Sequence, residues 1–238
     1  MKRHLVNFHI PKSAGSALRA NLAASFASAE LPERYVLGVE PGNGVDHFEG
    51  LTQRFAAEFP KIFDQSDRMI SGHFRYRDVA DIIAPQRGRV SLITFLRDPI
   101  WRTLSDYYYS ISAKHDDAEA FNAMYPTFDH YMSNPGEMNK MCSFLCLEES
   151  DSAQKILQQV FRDFDFVGVT ENFTDDLLFI ANSVRRSVES EKRENENRNK
   201  DVMLQAYDKY APKLKNVLKN DYILFDGILE QRGLKKRS

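Results

Sequence analysis

Leu5-Val6-Asn7-Phe8-His9-Ile10-Pro11-Lys12-Ser13-Ala14-Gly15-Ser16 is the stretch whose reading decides the fold. Its first six residues have the length and the β-branched and aromatic content of a buried strand, which Pro11 ends. Beyond Ser16 the apolar positions move to Leu18, Leu22 and Phe26, a spacing of four that belongs to a helix. The stretch therefore reads strand, small-residue loop, helix. The same junction recurs downstream. Val90 to Leu96 is an almost unbroken apolar run of the length expected for a central parallel strand. Asp98-Pro99 then sets an N-cap residue before a proline at the first helical position, and Ile100, Leu104 and Tyr108 mark a helix face.

Residues 68–73 read as a brief strand running into a turn, and 164–169 as another strand, between helices at 153–162 and 174–188. Phe55, Phe59 and Phe63 predict a short helix broken or kinked at Pro60. The Gly-, Pro- and Asp-rich segment 32–50 reads as a connecting excursion. Segment 189–201 has no apolar residue and reads as a solvated loop or flap, with 192–200 as a candidate lid. Helical spacing resumes at 202–218, and 223–229 reads as a last helix docking on the core. Strands alternating with helices predict a three-layer α/β/α domain around a parallel sheet.

A chain of 238 residues with 42% hydrophobic content is long enough for one sizeable core, so a single domain over 1–238 is expected. A formal charge of −2 and a pI near 6.3 argue against a general affinity for nucleic acid or an acidic membrane, so any anion site must be local. Met1 to Ile10 lacks the apolar core of a signal peptide, and no stretch approaches the ~18 apolar residues of a membrane span. A soluble, cytoplasmic protein is expected. Cys142 and Cys146 lie four apart in a region that reads helical; two small apolar fillers in a reducing compartment explain them better than a metal site.

In a parallel sheet, ligands bind beyond the carboxyl ends of the strands. Lys12 to Ser16 sits at such an end, and a turn of small residues feeding a helix offers backbone N–H groups and a positive dipole to a phosphate or sulfate. Lys12 adds a full charge. The P-loop of ATP-using enzymes is the obvious rival, but there the lysine follows the second glycine, whereas here it precedes the only one. A kinase also needs a carboxylate for Mg²⁺ at a strand end, and Val90 to Leu96 runs into Arg97 instead. Arg97 can fork two donors onto a phosphate and Ser105, two turns along the following helix, can add a third.

Phe8-His-Ile-Pro-Lys-Ser-Ala-Gly-Ser-Ala-Leu18 followed by Phe95-Leu-Arg-Asp-Pro-Ile-Trp-Arg-Thr-Leu-Ser105-Asp-Tyr-Tyr resembles the paired signatures of sulfotransferases that use 3′-phosphoadenosine 5′-phosphosulfate (PAPS). The likeness is closest to the carbohydrate branch that includes the heparan sulfate 2-O-sulfotransferases. It extends to Ser71-Gly72-His73, to Phe166–Phe173 and loosely to Asp221–Asp226. The chain departs from the family in having Ser13-Ala14 where relatives commonly carry Thr-Gly. It also lacks the N-terminal anchor of the Golgi relatives, which suggests a soluble, bacterial-type member.

The resemblance implies a P-loop-like sulfotransferase fold, with Lys12, Ser13, Ala14, Gly15 and Ser16 around the 5′-phosphosulfate and Arg97 with Ser105 on the 3′-phosphate. It implies His73 as the catalytic base and Lys12 as a stabiliser of the leaving phosphate. A neutral imidazole near pH 7 is suited to taking the proton of an attacking hydroxyl. The expected reaction is in-line transfer of a sulfuryl group to a hydroxyl of a carbohydrate or glycoconjugate, with PAP as product and no metal required. Arg75, Arg77, Arg102 and Tyr107 to Tyr109 are candidates for the acceptor cleft, and Glu171 and Asn172 for support of the site. The alternatives are a nucleotide-dependent kinase and a non-catalytic binder of PAP or sulfated glycan.

Overall fold

The computed structural model describes residues 4–26, 35–37, 47–63, 69–115, 117–185, 188 and 200–235. The first half of the chain forms β1 (His4–Phe8), α1 (Gly15–Phe26), β2 (Tyr35–Leu37), α2 (His47–Glu58), β3 (Met69–Gly72), α3 (Tyr76–Ile83), β4 (Val90–Leu96) and α4 (Pro99–Ser110). The second half forms α5 (Ala118–Met124), α6 (Phe128–Ser133), α7 (Lys140–Leu145), α8 (Ala153–Asp163), β5 (Phe166–Val169), α9 (Phe173–Ser183), α10 (Lys200–Val217) and α11 (Lys219–Gln231).

The strands build one sheet in the order β2-β3-β1-β4-β5, parallel throughout. Phe8 lies opposite both Gly72 and Thr94, and Leu96 lies opposite Val169. This register sends His9, His73, Arg97 and Thr170 out at the same carboxyl edge.

Period-two alternation divides the strand residues between two faces. Val6, Phe8, Ile70, Leu92, Leu96, Val167 and Val169 pack on one face with Phe55 of α2, Val79 of α3, Ile156 and Val160 of α8 and Leu224 and Ile228 of α11. Leu5, Met69, Ile93 and Phe95 turn the other way, onto Leu18 and Leu22 of α1 and Leu177 and Ile180 of α9. This is the three-layer α/β/α arrangement expected from the sequence. Each of these fully covered side chains contributes about 1.5–3 kcal/mol of burial, so both helical layers are firmly attached to the sheet. A third cluster joins Ile100, Leu104 and Tyr107 of α4 to Tyr131 of α6 and to Met203 and Leu214 of α10. It backs α4 where that helix leaves the sheet.

Three local readings differ. A short strand, β2, falls inside the stretch read as a connecting excursion, and α3 begins at Tyr76, three residues after His73. Phe59–Phe63 is a 3-10 turn rather than a continued helix, since Pro60 has no N–H to give to the α-helical ladder. Of the segment 189–201 read as a flap, only Lys200 and Asp201 are among the described residues, and they open α10; the lid reading of 192–200 otherwise lies outside the described residues.

Candidate active site

The loop between β1 and α1 is held in an unusual shape. Lys12 and Ala14 have φ values of 65° and 60°, in the left-handed region. Ser13 N–H donates to Ile10 O at 3.2 Å, closing the turn, and α1 begins with Leu18 N–H donating to Ala14 O at 2.9 Å. The amides of Gly15, Ser16 and Ala17 thus open the helix without intrahelical acceptors. The Ser13 hydroxyl is 1% exposed and its Oγ has no hydrogen-bond partner among the described residues. A buried hydroxyl without a partner beside open amides is the donor set that a phosphate or sulfate oxygen satisfies.

Arg97 meets this loop from β4, donating from Nη1 to the Lys12 carbonyl at 3.2 Å. Burial pulls its guanidinium below the ordinary range, against the pull of nearby Glu171. Glu171 stands in the turn after β5, where its Oε1 accepts from Asp98 N–H at 2.9 Å. Burial raises the Glu171 carboxyl above its usual range. Asp98 caps α4 as expected, its Oδ1 accepting from the amides of Ile100 and Trp101, each at 3.0 Å. Its Oδ2 accepts from the Tyr222 hydroxyl at 3.3 Å.

The Lys12 ammonium lies over the Tyr109 ring, 3.4 Å from its centroid. Ser105, 7% exposed, sits one turn earlier on the same face of α4. Burial lowers Lys12 to about 8; Asp106 acts against that shift, and Arg97 and Lys114 add to it. Asp106 is itself buried and accepts from Arg102 Nη1 at 3.1 Å, Tyr131 Oη at 2.9 Å and Lys140 Nζ at 2.9 Å. Burial alone would raise its carboxyl, but Lys140 and Arg102 hold it far below the usual range.

His73 leaves β3 beside His9. Its Nδ1 lies 2.7 Å from the His9 carbonyl oxygen, and the two imidazoles stack at 4.1 Å between centroids and 29° between planes. A carbonyl only accepts, so in the neutral ring Nδ1 carries the proton and the lone pair is on Nε2.

The structure thus brings the 12–16 loop, Arg97 and the His73 ring to one edge, and the Lys12 side chain extends to the face of α4 that carries Ser105. Other candidates for the acceptor cleft serve the fold. Arg102 has no exposed surface and ties Asp106 to Thr103 inside the helical cluster, and Tyr107 packs in the same cluster. Arg75 donates to Asp78 at 2.6 Å and covers Phe48, while Arg77 donates to Glu149 at 2.8 Å and to Cys146 Sγ at 3.2 Å. Asn172 donates to Asp176, which also accepts from Val169 N–H and from Arg232. Both cysteines are buried and free, with Cys146 just past the end of α7. His9 and Asp106 were not singled out from sequence: His9 sits in an apolar strand run, and only the i, i+4 spacing of Arg102 and Asp106 marked the second.

Fold and edge together define a parallel α/β protein that gathers a lysine, an arginine and a helix N-terminus at the carboxyl ends of β1 and β4. No protein-family model matches the chain, and no curated relative does. Among solved structures it is similar to a sulfotransferase from Alicyclobacillus acidocaldarius, at 13% identity over 92% of this chain and 96% of that one, with a TM-score of 0.48. It is also similar to the mouse sulfotransferase SULT7A1 complexed with PAP, at 12% identity over 87% of this chain, with a TM-score of 0.38. The chain spans 65% of the length of that mouse enzyme.

Proposed function

We propose that this chain is a single-domain sulfotransferase that moves the sulfuryl group of PAPS to a hydroxyl of a carbohydrate or glycoconjugate. The observation that carries the reading is the hydrogen bond from Arg97 to the Lys12 carbonyl. It ties the two phosphate-type motifs, far apart in sequence, into one donor array. PAPS fits the residues present. The amides of Gly15, Ser16 and Ala17, with the Ser13 hydroxyl and Lys12, would hold its 5′-phosphosulfate, and Arg97 with Ser105 its 3′-phosphate.

PAPS supplies a sulfuryl group whose S–O bond to the 5′-phosphate breaks as the acceptor oxygen bonds to sulfur. His73 takes the hydroxyl proton on Nε2, a role that its Nδ1 contact with the His9 carbonyl supports. Lys12 and the α1 N-terminus stabilise the charge that develops on the leaving phosphate. Asp98 is engaged as a helix cap and by Tyr222, which speaks against its serving as the metal carboxylate of a kinase. Two buried free thiols fit a reducing, cytoplasmic setting. Among the described residues no helix is long and apolar enough to cross a membrane.

Calorimetric titration with PAP, and separately with ATP and Mg²⁺, tests the reading on wild type and Arg97→Ala. Metal-independent PAP binding, weakened at least tenfold by the substitution and not matched by ATP, is expected. Binding of ATP with Mg²⁺ in place of PAP would put the kinase reading in its stead. PAP binding with sulfation unaffected by His73→Ala would take away the role assigned to His73.

A further inference from the structure

We infer that the His9 side chain is a positioning residue for His73: its ring face holds the His73 imidazole in the orientation that keeps the proton on Nδ1 and the lone pair on Nε2. The inference rests on the reading of His73 as the base. Free histidine has no reason to prefer the Nδ1–H form, so the site must impose it. Residue 9 does so with both its backbone and its side chain. The carbonyl accepts from His73 Nδ1 at 2.7 Å, the amide ties the β3 end by donating to Gly72 O at 2.9 Å, and the ring stacks at 4.1 Å.

The stack has a further wall. A Cβ placed on Gly15 would lie 1.8 Å from His9 Cδ2 and 2.2 Å from Nε2, so the His9 ring occupies the space a side chain at 15 would fill. The His9 imidazole is therefore wedged between the start of α1 and His73. Burial holds His9 well below the ordinary histidine range, and His73, Arg19 and Lys12 push it the same way. A neutral ring lies flat on its neighbour without placing a second positive charge on it. The His9 ring and carbonyl both contact His73, so the effect inferred for His9 runs through His73.

The tautomer is read on the full chain without ligand, by ¹⁵N-resolved NMR of the imidazole nitrogens, assigned with His73→Gln, in wild type, His9→Phe and His9→Leu at pH 7.5. In wild type and His9→Phe, which keeps a flat face, Nδ1 of His73 carries the proton. In His9→Leu the ring is released and the Nε2–H form becomes the major one. Turnover of PAPS to PAP and sulfate, with water as acceptor, then falls about tenfold or more in His9→Leu and stays within about threefold in His9→Phe. PAP affinity stays within about twofold in all three.

A wild-type tautomer in His9→Leu overturns the inference. Equal loss in both variants also overturns it, because the ring face would not be what holds His73. Should the leucine variant fail to fold by circular dichroism, His9→Gln takes its place, with the same loss expected. Failure of wild type to bind PAP would strike the sulfotransferase reading instead, and the tautomer comparison would still judge His9.

Discussion

Raising the pH from 7 to 9 should weaken PAP binding about tenfold, through Lys12 alone. Burial lowers this lysine to about 8, and the positive charges of Arg97 and Lys114 act in the same sense. The charged ammonium is the form that binds an anion, and a bound phosphate holds it charged. Affinity therefore follows the protonated fraction of the unliganded site, which falls from about 90% at pH 7 to about 10% at pH 9. The sign is fixed: binding weakens as pH rises. An ordinary lysine near 10.4 would lose about 4% over the same window. The ligand adds little to the change, because a phosphomonoester whose second ionisation is centred near pH 6 is already about nine-tenths ionised at pH 7. Calorimetry in two buffers of different ionisation enthalpy should also find uptake of about half a proton on binding at pH 8. Lys12→Arg keeps its charge throughout and should flatten the profile, whatever its absolute affinity. A wild-type Kd equal at pH 7 and 9, with no proton uptake, would refute the argument that the buried loop lowers this lysine.

Ala14→Gly should raise the melting temperature by about 2–4 °C, since a left-handed alanine costs about 1 kcal/mol that glycine avoids; calorimetric melting checks it. Gly15→Ala should destabilise by about 1–3 kcal/mol through collision with the His9 ring, and adding His9→Ala should recover part of that loss in urea titrations. Arg102→Met should cost about 3–5 kcal/mol in the same titrations, because it removes a fully buried partner of Asp106. Asp106→Asn/Arg102→Met together should cost less than the sum of the two single changes.

The two strand-to-helix junctions were legible because their signals are local. At 5–26 the apolar period changes from strand to helix across a run of small residues, and at 90–108 a cap residue and a proline mark the turn. The site's cations follow from those junctions, since a residue that leaves a parallel strand must stand at its carboxyl edge. What escaped depends on tertiary placement. The stack of His9 on His73 exists because Phe8 and Gly72 are level in adjacent strands, a register that no local pattern states. Arg102 read as an exposed cation because its burial requires Asp106, Tyr131 and Lys140 to converge from three elements. Helix α3 did carry a signal, with Tyr76, Val79, Ala80 and Ile83 at helical spacing, but the charges of Arg75 and Arg77 drew the reading toward a ligand role.

The buried carboxylates explain how the edge can remain cationic in a chain of formal charge −2. The charge of Asp106 acts on Lys12 and that of Glu171 on Arg97, yet neither carboxylate is given over to its cation. Asp106 already accepts from Arg102, Tyr131 and Lys140, and Glu171 accepts from the Asp98 amide. Each therefore tempers a cation at a distance without occupying its donors. A direct ion pair would have fixed Lys12 or Arg97 and made an arriving anion displace a bound carboxylate, at a cost of several kcal/mol in a buried setting. Instead Lys12 rests on the face of Tyr109, a contact worth about 0.5–2 kcal/mol. Arg97 spends one donor on a neutral carbonyl. Both contacts are weaker than a charge-assisted bond to phosphate, so if the edge holds the anion proposed for it, its strongest interactions are still left to make.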